Sequence, residues 1–460
     1  MRIELGKIPG LKVTIMGLGL NGGGLPSARF FAERGARVTV TDTKTEEQLK
    51  PSIEALADLS VKYVLGEHRL EDFSSADLVV KNPAVSENSP YLQVSKQVET
   101  DISLFCSLVR PPILAVTGTK GKSTTASAIH HIIKSEHPEA KLGGNITMSP
   151  LSFLSEIEKS EAPVVLELSS WQLSDLRHRR VMHPEISLVT NILNDHQDRY
   201  ANFEEYIEDK REIFRCQNAN QVTLLNYDDK TTRSFSEETP GKPRYFSALG
   251  LPRKFLGSWL EQDRAKWHER GEITTLFEGE LSIPGLHNRL NILAACTAAA
   301  LFGTSLELIR REALSFPGVP HRLELVSSKG GIRFYNDSTA TIPEATLAAV
   351  SSFDEPIHLI AGGTDKNLDF SPFKIIGERV DAAYLLEGSA TEMISSALQD
   401  RCRQVFGPFN SLQRAFETAI EGAKPGQIVL LSPGCASFGM FANEFDRGRR
   451  FKALVEELPR

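Results

Sequence analysis

Short apolar runs recur along the chain, and each is followed by a polar or glycine-containing turn and then by a segment with helical spacing. Runs such as KVTIM at 12–16 fit buried strands of a parallel sheet. Alternation of such strands with helices is typical of α/β domains. The predicted strands begin near residues 12, 37, 63, 76, 113, 164, 186, 332, 358, 382 and 428. The chain is therefore expected to be an α/β protein with several domains.

The first predicted unit is a strand, a glycine-rich turn, a helix and a second strand. The turn occupies residues 17–24, the helix residues 26–34, and the second strand ends at Asp42. Glycines let the backbone approach a diphosphate, and an acid about 20 residues further on can bind a ribose hydroxyl. A plain tight turn is the alternative. Because the flanking strand, helix and acid are all present, the pattern favours nucleotide-diphosphate binding by a Rossmann-like unit.

The same unit contains further strands and then a proline linker. One of these strands ends in Asn82, at the edge where ligands bind in open α/β sheets. We expect the unit to close near Val109, with Pro111 and Pro112 as the linker.

Residues 113–125, ILAVTGTKGKSTT, predict a buried strand, a glycine-containing turn and the first turn of a helix. Backbone amides in such a turn, with the positive end of the helix dipole behind them, form an anion site. Lys122 adds a positive charge for phosphate oxygens, and Ser123 is placed to ligate the magnesium of a nucleotide triphosphate. Val116 stands where the strict motif has glycine, and a strand-to-helix turn with a surface lysine is the alternative. The loop residues are Gly118, Thr119, Lys120, Gly121, Lys122, Ser123 and Thr124.

Two later strands place polar groups at the same sheet edge. Glu167 lies in the apolar run VVLELSSWQL, where an unpaired charge would cost several kcal/mol. A magnesium ligand explains it better than the alternative, a carboxylate that faces solvent. The strand that starts with ISLV runs into a polar cluster, in which His196 is suited to ligate metal or to orient a carboxylate. The cluster comprises Asn194, Asp195, His196 and Asp198.

The helix predicted at 203–215 carries a lysine on its apolar stripe. Lys210 falls on this stripe at 3.6-residue spacing. Either its ammonium extends to solvent, or it has a lowered pKa and serves as a base or as a chemically modified group. The spacing alone leaves both alternatives open. The stripe comprises Phe203, Tyr206, Ile207, Ile213 and Phe214.

The second half of the chain is less regular at first. Residues 221–283 predict a peripheral, partly β segment with no assigned role, and residues 283–303 predict an alanine-rich packed helix. A third α/β unit begins near Gly318 and ends its strands in polar loops. Because these loops all follow strands, they should gather on one edge of a small open sheet.

Composition and charge exclude several classes of function. The 460 residues carry a formal net charge of -7, which argues against a surface for nucleic acid or for an anionic membrane. Five scattered cysteines without a C-x-x-C pair fit reduced thiols in a cytosolic protein. No signal peptide is evident, and the longest apolar segment, 292–302, is too short to span a bilayer. We therefore expect a cytoplasmic monomer that acts on small molecules, with no nucleic-acid or membrane partner.

The polar motifs occur in a fixed order, TGTKGKST, LELSSWQL, NDHQDRY, LHNRLN, PHRLE, NDSTAT, AGGTDKN and LSPGCASFGMF. In sequence and spacing this set resembles the Mur ligase family of peptidoglycan synthesis, and the resemblance covers the whole chain. It implies three domains: a Rossmann-like N-terminal domain at 1–109 for a UDP-sugar, a central P-loop ATPase domain at 110–317, and a Rossmann-like C-terminal domain at 318–460 for the incoming amino acid.

The resemblance also implies the reaction. ATP would transfer its γ-phosphate to a substrate carboxylate, the amine of an amino acid would attack the acyl phosphate, and phosphate would leave. The chain is most similar to the member that adds glutamate to UDP-N-acetylmuramoyl-L-alanine, so both are expected substrates, with ATP and two Mg²⁺ ions as cofactors. Phosphoryl transfer requires positively charged groups around the transferred phosphoryl group, and the motifs supply such groups.

The family's roles carry over to single residues. The resemblance implies that Lys122 is the phosphate-loop lysine and that the hydroxyl of Ser123 ligates magnesium. It implies that Glu167 is a further magnesium ligand and that His196 is the histidine of a second metal site. It also implies that Lys210 is carbamylated by CO₂. It implies ATP contacts at Asn291, Arg322 and Asp337, and a partner of the transferred group at His321. The implied substrate positions are Asp42 and Thr43 for the uridine side, Asn145 and Ser169 for the peptide arm, and Thr341, Lys366 and Ser437 for glutamate. Gly19, Asn82 and Gln172 are further expected substrate contacts.

Two departures from the family pattern fall in the amino-acid pocket. Thr339 replaces the lysine that is common in the family, and Glu444 precedes Phe445 where an aromatic residue is expected. They leave open whether D- or L-glutamate is the acceptor.

Other classes of protein explain less of the chain. A folylpolyglutamate-type ligase shares the central domain but lacks the first unit, and an oxidoreductase would use the first turn alone. A nucleotide-gated binding protein would not need Glu167, His196 and Lys210 together.

Overall fold

The computed structural model describes residues 3–19, 23–146, 148–193, 200, 202–269, 271–437 and 439–459. It divides into two compact units. The first comprises Met1–Gly279 and Leu290–Ala313, and the second comprises Glu280–Arg289 and Leu314–Arg460. None of the described helices has the length and apolar character needed to cross a bilayer.

The start of the first unit is a five-stranded parallel sheet flanked by helices. Its strands are β1 (Lys12–Met16), β2 (Arg37–Asp42), β3 (Val61–Leu65), β4 (Leu78–Lys81) and β5 (Val98–Glu99). Its helices are α1 (Gly24–Glu33), α2 (Glu46–Glu54), α3 (Leu70–Ser74), α4 (Pro90–Gln93) and α5 (Asp101–Leu108), with a 3-10 turn at Leu5–Lys7. The order β3-β2-β1-β4-β5 confirms the predicted Rossmann-like unit. The first helix begins at Gly24, two residues before the predicted start.

A nine-stranded sheet forms the rest of the first unit. Its strands are β6 (Ile113–Thr117), β7 (Lys141–Gly144), β8 (Val164–Glu167), β9 (Ile186–Val189), β10 (Val222–Asn226), β11 (Lys242–Ser247), β12 (Gly257–Glu261), β13 (Arg264–Glu269) and β14 (Glu272–Glu278). Its helices are α6 (Lys122–Lys134), α7 (Leu154–Ile157), α8 (Ser170–Ser174), α9 (Phe203–Arg211), α10 (Lys230–Ser234), α11 (Leu286–Phe302) and α12 (Leu306–Ser315), with 3-10 turns at Pro150–Phe153 and Phe235–Glu237.

The strand order of this sheet corrects one prediction. The order is β14-β13-β12-β11-β10-β9-β6-β8-β7. Strands β10, β11 and β12 continue the parallel pairing from β9, and β13 is antiparallel to both of its neighbours, β12 and β14. The strands between residues 222 and 278 therefore continue the central sheet, whereas the sequence predicts a peripheral segment at 221–283. The charged residues in the middle of this segment obscured the strand pattern in the sequence. Strands β13 and β14 lie at the edge of the sheet, where polar side chains contact solvent.

Helix α9 also differs from its prediction. It ends at Arg211, and Phe203 at its start is 39% exposed although the stripe placed it inward. Ile213 and Phe214 are buried, but beyond the end of the helix. The periodicity was right for Lys210, which is 1% exposed.

The second unit contains a six-stranded sheet. Its strands are β15 (Glu324–Lys329), β16 (Ile332–Asn336), β17 (Ile357–Gly362), β18 (Ala382–Leu386), β19 (Val405–Phe409) and β20 (Ile428–Leu431). Its helices are α13 (Pro343–Val350), α14 (Pro372–Gly377), α15 (Thr391–Leu398), α16 (Leu412–Gly422) and α17 (Glu444–Glu457). The order is β15-β16-β20-β17-β18-β19, with only the β15–β16 pair antiparallel. The polar loops after β16, β17 and β20 consequently share one edge, as the sequence predicts.

The two sheets of the first unit share one apolar core. A single buried cluster includes Val13 and Ile15 of β1 and Leu166 of β8. Phe105 of α5 meets Phe153 edge to face, with ring centroids 5.9 Å apart. This continuous core explains why the predicted first and central domains form one compact unit.

Candidate active site

The loop between β6 and α6 has the geometry of an anion site. Gly121 precedes the first residue of α6 in a left-handed conformation (φ 83°), so the backbone amides at the helix start are presented to the loop. Ser123 and Thr124 lie in the first turn of α6, where Ser123 is buried and Thr124 half-buried. The predicted phosphate loop therefore lies at a helix N-terminus, next to a strand end.

Two lysines converge on one carbonyl of this loop. Lys122 Nζ donates to the carbonyl oxygen of Gly118 at 2.9 Å and to that of Thr119 at 2.9 Å. Lys210 Nζ donates to the same Gly118 oxygen at 3.0 Å and lies 4.6 Å from the ring centroid of Tyr206. The inward position predicted for Lys210 thus places its amino group against the phosphate loop.

The loop is fixed by the residues that follow β9. Thr190 Oγ1 donates to the carbonyl oxygen of Lys120 at 2.7 Å, and Asn191 Oδ1 accepts from the Lys120 amide at 2.9 Å. The Thr119 hydroxyl lies 2.9 Å from the hydroxyl of Tyr206. The loop is therefore held from two sides, by β9 and by α9.

Two glycines of the loop leave no room for a side chain. A Cβ atom on Gly118 would lie 1.9 Å from Thr190 Oγ1, and one on Gly121 would lie 2.4 Å from Oδ1 of Asn291. Both glycines have positive φ angles, 141° and 83°. The second contact also shows that the predicted ATP residue Asn291, on α11, lies beside the loop.

Glu167 ends β8, which pairs directly with β6. Its side chain is 1% exposed. Asn145 Nδ2 donates to Oε1 at 2.9 Å, whereas the buried Oε2 has no hydrogen-bond partner among the described residues. A buried carboxylate oxygen without a partner is costly, and a cation would satisfy it. The prediction that Glu167 is buried is confirmed, and its chemistry fits the proposed magnesium ligand.

The second metal position cannot be assessed in the same way. His196, with Asn194, Asp195 and Asp198, lies outside the described residues. In the part of the chain that is described, no three His, Cys, Asp or Glu side chains are grouped as metal ligands.

Four of the predicted substrate residues line one cavity of about 290 Å³, between the first and the nine-stranded sheets. They are Asn82, Asn145, Ser169 and Gln172. Ser169 and Gln172 also cap helix α8 reciprocally: Ser169 Oγ accepts from the Gln172 amide at 3.2 Å, and Gln172 Oε1 accepts from the Ser169 amide at 3.1 Å. The cap holds this wall of the cavity rigid.

The two predicted uridine residues, Asp42 and Thr43, do not line that cavity. Asp42 Oδ2 accepts from the amides of Leu18 at 2.9 Å and Gly19 at 3.3 Å, and its Oδ1 accepts from the Lys44 amide at 2.9 Å. Thr43 is exposed beside it. The carboxylate of Asp42 therefore orders the glycine turn after β1.

In the second unit, His321 and Asp337 lie in one network at the end of β16. His321 has a positive φ of 65°, its amide donates to Glu324 Oε2 at 2.9 Å, and its Nδ1 lies 2.9 Å from Asn336 Nδ2. Burial lowers the pKa of His321. Asp337 accepts from the Leu323 amide at 3.0 Å and from Ser432 Oγ at 2.8 Å. Burial raises its pKa to about 7. The third predicted residue here, Arg322, is exposed.

The three predicted glutamate residues lie on adjoining loops of the second unit. Thr341 follows Ala340, whose carbonyl oxygen accepts from the Gly434 amide at 2.9 Å. The loop of Lys366 is joined to that of Ser437 through paired backbone hydrogen bonds between Thr364 and Ala436. Lys366 is exposed and Ser437 is buried.

Among the buried charged side chains to which sequence reasoning gave no role, three lie close to the predicted sites. Arg447, fully buried on α17, donates to Ser338 Oγ at 3.0 Å, to the Ser338 carbonyl at 2.8 Å and to the Cys435 carbonyl at 3.3 Å. Burial lowers its pKa to about 10. It joins two of the loops just described. The others are Lys81 and Asp175, whose only signal in the sequence is a lysine at the end of an apolar strand.

Three family models match the chain in order. A model of a MurD-like Mur ligase N-terminal domain matches residues 11–103, the Mur ligase middle domain matches 116–299, and the Mur ligase glutamate ligase domain matches 321–435.

Individual relatives match over nearly their whole length. The chain is 42% identical to the UDP-N-acetylmuramoylalanine--D-glutamate ligase of Roseiflexus sp. (strain RS-1), over 98% of this chain and 99% of the relative. It is 38% identical to the protein of the same name from Treponema pallidum (strain Nichols), over 97% and 98%. Among solved structures, UDP-N-acetylmuramate-alanine ligase MurC from Thermotoga maritima superposes with a TM-score of 0.63 at 19% identity, covering 97% of this chain and 99% of that one. This last likeness supports the fold.

Proposed function

The chain belongs to the Mur ligase family, and we propose that it joins D-glutamate to UDP-N-acetylmuramoyl-L-alanine at the expense of ATP. The observation that carries the proposal is the convergence of Lys122 and Lys210 on the Gly118 carbonyl, beside the partly unsatisfied carboxylate of Glu167. Relatives named for this ligase activity match 98% and 97% of the chain. The architecture is the three-domain α/β arrangement of the family, and we propose boundaries at 1–109, 110–317 and 318–460.

The proposed reaction has two steps. The substrate carboxylate takes the γ-phosphate of ATP, forming an acyl phosphate and ADP. The amine of glutamate then attacks the acyl carbon, and the tetrahedral intermediate expels inorganic phosphate to leave an amide. Lys122 and the amides at the start of α6 would hold the phosphates of ATP, because they offer positive charge and hydrogen-bond donors at one place.

Magnesium fits the residues of the phosphate loop. Ser123 and the unsatisfied Oε2 of Glu167 supply oxygen ligands, and we propose a second ion held by His196 and a carbamylated Lys210. When bound, magnesium would neutralise phosphate charge as the phosphoryl group moves. Asn145 donates to the other oxygen of Glu167 and so restrains its carboxylate.

Carbamylation suits the surroundings of Lys210. The ammonium would first lose one proton, and the neutral amine would then add CO₂ and release a second proton, leaving a carboxylate-like carbamate. Lys210 is buried and contacts Tyr206 and the Gly118 carbonyl. A buried ammonium is costly, and the modification replaces it with a group that can meet magnesium.

The residues with proposed roles in the second unit lie on loops at one edge of its sheet. Asp337 and Arg322 would contact ATP and His321 the transferred group, while Thr341, Lys366 and Ser437 would hold glutamate. The loops that carry the last three adjoin one another, and a cation and two hydroxyls are groups that would suit a dicarboxylate. We propose a cytoplasmic monomer with no nucleic-acid or membrane partner.

The test is phosphate release from ATP in the presence of magnesium and UDP-N-acetylmuramoyl-L-alanine. D-glutamate, L-glutamate or no amino acid is added, and the product is identified by mass. Release that depends on D-glutamate supports the proposal. Phosphate release with L-glutamate alone would mean that L-glutamate is the acceptor, which the departure at Thr339 leaves open. No phosphate release in any of the three reactions would overturn the proposal.

A further inference from the structure

A buried ion pair joins the five-stranded sheet to helix α8. Lys81, the last residue of β4, places Nζ 2.6 Å from Oδ1 of Asp175, which follows α8. Both side chains are 4% exposed, and Lys81 Nζ also donates to the Val85 carbonyl at 3.2 Å. Oδ2 of Asp175 has no hydrogen-bond partner among the described residues. Since such a pair regains little of the cost of dehydrating its charges, stability alone does not account for it.

The pair connects the two walls of the 290 Å³ cavity. Lys81 lines the cavity next to Asn82, on the wall that follows β4. The opposite wall is α8, with Ser169 and Gln172 at its start and Asp175 directly after its end. The distance between Lys81 and Asp175 therefore limits how far apart the walls can stand.

Arg179 holds the same two walls at a second point. Its Nη1 lies 2.5 Å from Glu99 Oε2, its Nη2 donates to the Val98 carbonyl at 2.8 Å, and its Nε donates to the Asp175 carbonyl at 2.6 Å. Glu99 also accepts from Ser103 Oγ at 2.6 Å. The two ion pairs thus form one connected network between β4–β5 and the end of α8.

We propose that the Lys81–Asp175 pair is a positioning element for the UDP-sugar, which sets the width of its cavity. This inference rests on the proposed function. Lys81 is committed to Asp175 and Val85, so its part is to hold Asn82 opposite Ser169 and Gln172. A small change in wall separation misaligns these groups with the sugar nucleotide and leaves the phosphate loop untouched.

The test measures two affinities on the full chain. The variants are Lys81→Met, Asp175→Asn and the exchanged pair Lys81→Asp with Asp175→Lys. Calorimetry gives the Kd for UDP-N-acetylmuramoyl-L-alanine, and steady-state kinetics give kcat and the KM for ATP. The control is Lys96→Met, which removes the exposed pair of Lys96 with Asp77 from the same sheet.

We expect each single variant to raise the Kd for the UDP-sugar about tenfold or more, while kcat at saturation and the KM for ATP stay within about threefold. The exchanged pair should recover part of the affinity, and the control should match the wild type. Arg179→Gln, which leaves the buried pair intact, should raise the Kd for the UDP-sugar by a smaller factor. This variant provides a test if one of the other single variants fails to fold.

Two outcomes would overturn the inference, and they differ from failure of the proposed function. One is an unchanged Kd for the UDP-sugar in folded variants. The other is an equal loss of UDP-sugar and ATP binding, because that indicates a general structural defect. If the wild type binds no UDP-N-acetylmuramoyl-L-alanine, the proposed function fails and the inference fails with it.

Discussion

Thr339 donates two hydrogen bonds to the carbonyl oxygen of His321, one from its amide at 3.1 Å and one from its hydroxyl at 2.9 Å. His321 adopts a left-handed conformation, which is costly for a residue with a side chain. The resemblance described above leads to the expectation of a lysine at the position of Thr339. In this chain the threonine hydroxyl instead fixes the backbone of the histidine proposed to lie beside the transferred group.

Thr339→Val removes the hydroxyl but keeps the shape of the side chain. One neutral hydrogen bond is worth about 1 kcal/mol, so we expect kcat to fall about fivefold because His321 is less well placed. The KM for ATP should change little. Thr339→Ser, which keeps the hydroxyl, is the matched control and should retain most of the activity. Equal rates for the valine and serine variants would show that the hydroxyl does not position His321.

Glu167→Gln keeps the size of the side chain and removes its charge. We expect the magnesium concentration for half-maximal activity to rise about tenfold or more, because a neutral amide is a poorer ligand. Thermal stability should be unchanged or higher, since the unsatisfied buried charge is gone. Glu185→Gln, at an exposed position just before β9, serves as the control. A magnesium titration that matches the wild type would argue against ligation by Glu167.

Lys210→Ala should lower turnover by at least about 100-fold, because it removes the amine that is proposed to be carbamylated. Acetate or bicarbonate is expected to restore part of the rate. Lys230→Ala, on the exposed face of α10, is the control. Carbon-13 spectroscopy of the wild type with labelled bicarbonate should show a carbamate signal that the alanine variant lacks, and near-normal turnover of that variant would exclude the role.

Asp337→Asn should flatten one part of the pH dependence of stability. Burial raises the pKa of Asp337 from 3.8 to about 7, so between these values the folded chain keeps a proton that the unfolded chain has lost. The free energy of unfolding therefore falls as pH rises from about 4 to 7, by about 1.4 kcal/mol for each unit of pKa difference.

The measurement is the melting temperature at pH 5 and pH 8. From pH 5 to pH 8 the melting temperature of the wild type should fall further than that of Asp337→Asn. Asp354→Asn, at an exposed position, should behave as the wild type. An equal fall in melting temperature for the wild type and Asp337→Asn would show that Asp337 is not the group that titrates.

The sequence predicted those features that depend on local order. The phosphate loop, the Rossmann order around β1 and the inward side chain of Lys210 follow from spacing, since 3.6-residue periodicity and strand-turn-helix order are local properties. The loops after β16 and β20 were also expected on one edge, because parallel strands end on the same side of a sheet.

Features that depend on partners far away in the chain were missed. Lys81 and Asp175 pair across 94 positions of sequence, and no local pattern specifies such a contact. The strands within 221–283 were read as peripheral because their polar residues face solvent at a sheet edge. The same periodicity that succeeds for Lys210 places Phe203 inward, but Phe203 is the first residue of α9 and its side chain is exposed there.

The crowding at Gly118 and Gly121 has a consequence for inhibition. A compound that packs against this turn would contact backbone whose shape is set by Thr190 and Asn291, and a side chain at either glycine would collide with them. A substitution at either glycine would therefore disrupt the turn itself. Escape from such a compound by a single substitution would have to come from the other residues of the loop or from those around it.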